Sequence, residues 1–143
     1  MIRVLIADDH PIIRQGLKRI LDAEADMEGA DEAENTQEAL DLASKTQYDV
    51  LLLDIDMPGR SGLDALKELR VQQPKLPVLV LSIHSEEQYA ARVLKAGAAG
   101  YLMKEAAPEE LVKAIRQAYG GGKYVSSSTG AFGFQSPDKK RIG

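Results

Sequence analysis

Apolar positions along the chain follow two alternating rhythms. Short continuous apolar runs, Ile2–Ala7 (IRVLIA), Asp49–Asp54 (DVLLLD) and Pro77–Ile83 (PVLVLSI), read as buried strands. Between them apolar residues recur every three or four positions. In the stretch 11–23, Ile12, Ile13, Leu17, Ile20 and Leu21 share one face, and Pro11 suits a first helical position. Met27–Ala33 predicts a weak, polar second strand, Thr36–Lys45 a helix with Ala39, Leu40 and Ala43 inward, and Ser61–Gln72 a helix. Ser61 and Asp64, and again Ser85 and Gln88, have capping-box spacing. The helix after Ser85 stops at Gly97, Ala99–Met103 is a short fifth strand, and Pro108–Tyr119 is a fifth helix ended by Gly120-Gly121-Gly122.

Five β/α units in strict alternation predict an α/β fold. The expected form is a flavodoxin-like, doubly wound, five-stranded parallel sheet, order 2-1-3-4-5, with five helices covering both faces and the polar second strand at an edge. From about Tyr124 the pattern loses any period. Residues 1–122 are therefore expected to form one domain, and 123–143 a linker or disordered tail.

Composition narrows the function classes. The chain has 143 residues, 44% hydrophobic and 28% charged, with a net charge of -4. No strongly basic footprint for nucleic acid is present. Absence of cysteine excludes disulfides, thiolate metal sites and thiol nucleophiles. No apolar run approaches the roughly 18 residues of a membrane span. The early apolar stretch runs straight into Asp8-Asp9, unlike a signal peptide, so a cytoplasmic protein without a membrane partner is expected.

Sites in open α/β sheets form at the carboxyl ends of strands. Here the first strand ends in Asp8 and Asp9, the third in Asp54 and the fourth at Ser82, and the fifth stops just before Lys104. Three clustered carboxylates repel, and a hard divalent cation relieves that repulsion. Mg²⁺ suits one or two carboxylates plus a phosphate. Lys104 would bring a second positive charge, Ser82 a hydrogen-bond donor, and one carboxylate the nucleophile for an acyl phosphate. Taken singly, each residue also fits a bland role: a turn or cap for the acidic pair and Asp54, a backbone-bonded hydroxyl for Ser82, packing for Tyr101, a solvated surface for Lys104.

The segments IADDHPIIRQGL, VLLLDIDMPGRSGLDAL and VLVLSIHSEEQYAARVLKAGAAGYLMK, with the helix from Pro108, resemble the receiver domain of bacterial two-component response regulators over residues 1–122. The DDHP start, the MPG turn and KAGAAGYLMKE are similar to the NarL/FixJ subfamily, which carries a C-terminal LuxR-type helix-turn-helix. The resemblance implies that Asp54 accepts a phosphoryl group from a sensor histidine kinase. It implies Asp9 as the main Mg²⁺ ligand, Asp8 as a helper through water, and Asp54 and the backbone carbonyl of Asp56 as further ligands. Ser82 becomes the switch hydroxyl, Tyr101 the aromatic that changes rotamer with it, and Lys104 the contact to phosphoryl oxygens. The chain would be no enzyme beyond assisting its own phosphorylation and dephosphorylation.

Three departures stand out. Glu105 follows the lysine where many receivers have proline, often behind a cis peptide. Ile83 follows Ser82 where a small residue is usual, and is expected to slow phosphoryl passage. Only 21 residues follow Gly122, too few for a helix-turn-helix, so DNA binding would need an effector domain not found in this sequence. Phosphorylation would alter the face of the fourth helix, fifth strand and fifth helix, with Val93, Leu94, Lys95, Lys113 and Arg116 as candidate homodimer contacts; read singly, the apolar residues also fit the core and the cations a solvated face. Two other readings fit part of the pattern. One is a phosphorylation-independent binding module. The other is a haloacid-dehalogenase-type phosphatase with Asp54 as nucleophile and Asp56 as acid, which lacks the expected acidic pair downstream of Lys104. A flavodoxin is disfavoured because Asp8-Asp9 would repel a flavin phosphate.

Overall fold

The structure is a computed structural model that describes residues 1–57, 61–83 and 87–125. Strands β1 (Ile2–Ala7), β2 (Met27–Ala33), β3 (Val50–Asp54), β4 (Val78–Ser82) and β5 (Gly100–Met103) alternate with helices α1 (Pro11–Asp22), α2 (Thr36–Lys45), α3 (Gly62–Gln72), α4 (Glu87–Lys95) and α5 (Pro108–Tyr119). The strands are parallel, in the order β2-β1-β3-β4-β5, as the pattern predicts. One addition was not foreseen. Tyr124–Val125 form a sixth strand, β6, parallel to β5, with Tyr124 opposite Gly100. The ordered part therefore runs past the boundary at 122; the rest of the expected tail, 126–143, lies outside the described residues. Two residues carry too short a pattern to register as a strand, and only the β5 edge gives their backbone groups partners.

Side chains alternate across the pleat, so each apolar strand feeds two cores. Leu5, Leu51, Leu53, Val80 and Tyr101 pack under α2, α3 and α4. Val4, Ile6, Leu52, Leu79, Leu81 and Leu102 pack against Leu21 of α1 and Leu111 and Ile115 of α5. This two-sided burial is why the central strands are uninterrupted runs rather than alternating ones.

Helix ends follow local chemistry only in part. Asn35, not singled out from the sequence, caps α2 by accepting from the Glu38 amide at 2.8 Å. Ser61 takes the cap position of α3, but its side chain makes no capping hydrogen bond, so the expected Ser61–Asp64 box does not form. The other proposed cap, Ser85, lies outside the described residues. Gly97 has φ +109 after α4, a left-handed stop that favours glycine.

Beneath the strand amino ends, Tyr48 donates a 2.5 Å hydrogen bond to Asp31, with the Arg3 guanidinium 5.6 Å over its ring. Burial first, and then the Asp31 bond, push the Tyr48 phenol up to about 12. Burial and a bond to Glu110 likewise raise Tyr124 to about 12. Both lie above the value of about 10 of an unfolded tyrosine, so the neutral phenols stabilise the fold fully below that pH. That contribution disappears as pH rises toward 12. Alkaline titration followed by tyrosinate absorbance should show both phenols ionising late. Tyr48→Phe should remove one late step and cost about 1–2 kcal/mol in urea unfolding.

Candidate functional site

The strand termini converge as the sequence suggests, and the sheet register explains how. Asp54 is the last residue of β3 and lies opposite Leu81 of β4. Ser82 is one residue further along β4, opposite Met103 of β5, and its carbonyl accepts from the Lys104 amide at 2.9 Å. Lys104 is thus fixed at the rim by a backbone tie to the Ser82 position. Asp8 follows β1, whose Ala7 lies opposite Leu53.

Asp54 is fully buried. Its Oδ2 accepts from Lys104 Nζ at 2.8 Å, and its Oδ1 from the Asp56 amide at 2.9 Å. Burial pushes the Asp54 carboxyl above its ordinary range. The Lys104 and Asp56 bonds oppose this, while the neighbouring Asp8 charge adds to it. For Lys104 the largest single influence, burial, lowers its pKa. The bond and charge of Asp54, with Asp8 and Asp56 behind them, outweigh burial and hold it raised. The two directions look opposed: the lysine gains from the pair and the carboxylate does not. Burial decides the difference, because Asp54 is wholly enclosed whereas the Lys104 side chain keeps 11% of its exposure.

Asp8, Asp9, His10 and Asp54 each present a ligand atom within 4.8 Å of the others. Asp8 is fully buried and Asp9 partly so, yet Asp8 Oδ2 and Asp9 Oδ1 are buried without a hydrogen-bond partner. Unpartnered buried carboxylate oxygens carry a desolvation cost that a cation would remove. The donor set is oxygen-rich and converges on one point, so it fits a hard divalent cation. Asp8 Oδ1, by contrast, accepts from the His10 amide at 2.8 Å and lies 2.9 Å from His10 Nδ1. Arg14 fixes the same turn from below through the Asp8 carbonyl at 2.6 Å and Glu32 at 3.0 Å.

His10 and Arg14 were missed in the sequence. The histidine beside the acidic pair was the available signal for the first. The second, a helical cation 18 positions before its acidic partner on the next strand, had none. Asp56 is exposed, and its Oδ2 receives the Ile83 amide at 3.4 Å. Ile83 itself is 63% exposed.

Tyr101 is fully buried, edge-on to Tyr89 with ring centroids 6.3 Å apart. It lies opposite Val80, two residues before Ser82, so the pleat directs Tyr101 and Ser82 to the same face of the sheet. Two expected surface contacts are placed otherwise. Val93 is fully buried in the core under α4. Arg116 bonds Glu24 at 2.8 Å and Asp26 at 2.9 Å, in the segment between α1 and β2. Helical periodicity alone does not say which neighbour a face meets. The peptide bonds of the described residues are all trans, including Lys104–Glu105.

Comparison with known proteins gives a consistent result. Residues 4–116 match the family described as response regulator receiver domain. The transcriptional regulatory protein DegU of Brevibacillus brevis is 42% identical over 124 residues, covering 87% of this chain and 52% of that protein. The response regulator GacA of Pseudomonas aeruginosa is 42% identical over 129 residues, covering 88% and 59%. The chain thus spans between half and three-fifths of these relatives. Among solved structures, the isolated receiver domain of RcsB from Salmonella enterica, in the presence of phosphomimetic BeF3-, superposes with a TM-score of 0.84 at 28% identity, covering 91% of this chain and 96% of that one.

Proposed function

This chain belongs to the response regulator receiver domain family of two-component systems, and on that premise we propose that Asp54 is its phosphoacceptor. One observation carries the assignment. Asp54 is a fully buried carboxylate paired with Lys104 Nζ at 2.8 Å, beside Asp8 Oδ2, a buried acidic oxygen without a hydrogen-bond partner. A carboxylate oxygen of Asp54 attacks phosphorus, the bond to the leaving group breaks, and that group departs with the electron pair. Asp54 reacts ionised, so no general base is required. Lys104 then releases the carboxylate and follows the phosphoryl oxygens, where negative charge has increased.

Asp9, Asp8 and Asp54, with the Asp56 backbone carbonyl, are the residues that would hold Mg²⁺, Asp8 acting through water. Bound there, the cation neutralises charge on the phosphoryl group. Asp8 and Asp9 orient it, and Arg14 keeps their turn in place. If this holds, Mg²⁺ raises the thermal midpoint, by about 2.7 kcal/mol equivalent at a hundredfold excess over its dissociation constant. Asp9→Ala should abolish that increment, which differential scanning fluorimetry reads directly.

The switch couples Ser82 to Tyr101. A new phosphoryl oxygen draws the Ser82 hydroxyl toward it. Tyr101, on the same face, follows into the space and alters the surface near α4 and α5. The donor is a sensor histidine kinase. The output is transcription through an effector domain of a longer protein, in the cytoplasm, without a membrane partner; among the described residues no helix is long and apolar enough to cross a membrane. A homodimer through α4, β5 and α5 would use Leu94, Lys95 and Lys113, not Val93 or Arg116. The phosphatase reading loses ground because, among the described residues, the acidic positions after Lys104 do not join the cluster around Asp54.

The test is intact mass after incubation with Mg²⁺ and acetyl phosphate. One phosphoryl group on the wild type, absent without Mg²⁺ and absent from Asp54→Ala, supports the assignment. A folded protein that takes none turns the reading toward a phosphorylation-independent binding module.

A further inference from the structure

Asp8 is held from three directions. Its amide donates to the Ala33 carbonyl at 3.0 Å, its carbonyl accepts from Arg14 Nη1 at 2.6 Å, and its Oδ1 accepts from the His10 amide at 2.8 Å. Of its polar atoms only Oδ2, which is buried, is left without a hydrogen-bond partner. Two of the three ties lead to β2. One is direct, through Ala33. The other runs through Arg14, whose Nε donates to Glu32 Oε1 at 3.0 Å while only 12% of its side chain is exposed.

An irregularity in β2 makes the second tie possible. Val4 pairs with Gly29 and Leu5 with Asp31, so Ala30 has no partner on β1. An extra residue of this kind reverses which side chains face which layer from that point on. Past it, Glu32 lies opposite Ile6, which packs on the α1 and α5 side of the sheet, and Asp31 opposite Leu5, which packs on the other side. Strict alternation from Met27, which shares the α1 side, would have sent Asp31 toward α1 and Glu32 away from it. The bulge instead gives Asp31 to Tyr48 and Glu32 to Arg14.

We propose that Arg14 and Glu32 are positioning residues: the pair locks the backbone of Asp8 and thereby raises the affinity of the acidic cluster for Mg²⁺, with neither side chain touching the cation. The inference rests on the Mg²⁺ site proposed above. Carboxylates already held in place lose less conformational freedom when a cation binds. Charge alone would act differently. A guanidinium near the site repels a divalent cation, so its removal would tighten binding, whereas removal of Glu32 would weaken it. Positioning requires that both removals weaken it.

The test is calorimetric titration of the full chain with Mg²⁺, in wild type, Arg14→Met, Arg14→Lys, Glu32→Ala and Lys18→Met. Lys18 is the matched control. It lies one turn further along α1 and also ties that helix to β2, through the Gly29 carbonyl at 3.0 Å, but at the end of the strand away from the acidic turn. The Mg²⁺ dissociation constant is expected to rise about tenfold in Arg14→Met, and by less in Glu32→Ala, as for other residues that orient the ligands of a metal. Arg14→Lys keeps the charge but not the planar fork that serves Asp8 and Glu32 together, and should fall between wild type and Arg14→Met. It decides the matter if Arg14→Met does not fold, because charge alone predicts no change. Lys18→Met should bind Mg²⁺ as the wild type does, although it unfolds earlier. Phosphorylation by acetyl phosphate should recover to within about twofold of the wild-type rate once Mg²⁺ is saturating. Unchanged or tighter binding in the Arg14 variants overturns the proposal. So does an equal loss in Lys18→Met, which would make the effect a general loosening of α1. A wild type that binds no Mg²⁺ overturns the site itself along with it.

Discussion

An Asp54→Asn variant should take up no phosphoryl group and yet unfold at a higher temperature than the wild type in metal-free buffer. The first effect is chemical, because an amide oxygen cannot displace a leaving group from phosphorus as a carboxylate does. The second follows from burial. Asp54 is fully enclosed, and burial with the nearby Asp8 charge raises its carboxyl pKa despite the Lys104 bond. Asparagine keeps the shape and carries no charge to desolvate. Its single amide oxygen keeps one of the two bonds that Asp54 accepts, from Lys104 or from the Asp56 amide, and its NH2 group faces the other donor. Lys104 is not stranded, since Asp8 and Asp56 also favour its charge and part of it reaches solvent. The gain should be about 1–2 kcal/mol, or several degrees in Tm.

The dependence on pH fixes the sign. A folded carboxyl with a raised pKa contributes stability that is complete below its unfolded value, near 3.8, and that is lost as pH rises through the folded value. The advantage of Asp54→Asn should therefore grow as pH rises from about 3.8 upward. In saturating Mg²⁺ it should shrink, because the cation stabilises the wild type, with all three carboxylates, more than the variant. Thermal melts across pH, with and without Mg²⁺, check each step. A variant less stable than wild type at neutral pH without metal would mean that the Lys104 pair outweighs desolvation.

Gly62→Ala should be the costliest single methyl near the site. An added Cβ would lie 2.5 Å from Ile55 Cγ1, 2.7 Å from Ile55 Cα, and closer still to the Ile55 carbonyl oxygen. Ile55 is itself buried, and it sits between Asp54 and the Asp56 amide that holds Asp54 Oδ1. Relief of the clash must shift backbone, so about 2–4 kcal/mol should be lost in urea unfolding. Displacement of the turn after β3 should also slow phosphorylation by acetyl phosphate by about tenfold or more, because near-attack geometry tolerates little misplacement. Gly16→Ala is the matched control. It lies within α1 with nothing within 4 Å of an added Cβ, and should stabilise by about 0.5–1 kcal/mol without altering phosphorylation. Equal behaviour of the two variants would remove the packing explanation.

Five strands, five helices and their order were legible because two-sided burial writes itself as continuous apolar runs, and helices as a 3.6-residue period. The acidic rim was legible for a related reason: Asp8, Asp9, Asp54 and Lys104 each follow directly on such a run, and parallel strands place their ends together. Boundaries agreed where a terminator is local, as at Gly97, and the Ser61 cap failed because matching residue types do not guarantee the side-chain geometry.

What the sequence determined by itself was therefore the fold, its order and the set of groups at one rim, since each rests on periodicity or on position next to a strand. Tertiary structure alone decided the rest. It buried Val93, turned Arg116 to Glu24 and Asp26, and added β6 to the β5 edge. It also set Lys104 against Asp54, and left Asp8 Oδ2 buried without a hydrogen-bond partner. These depend on distances between residues far apart in the chain, and a one-dimensional pattern holds no such distances.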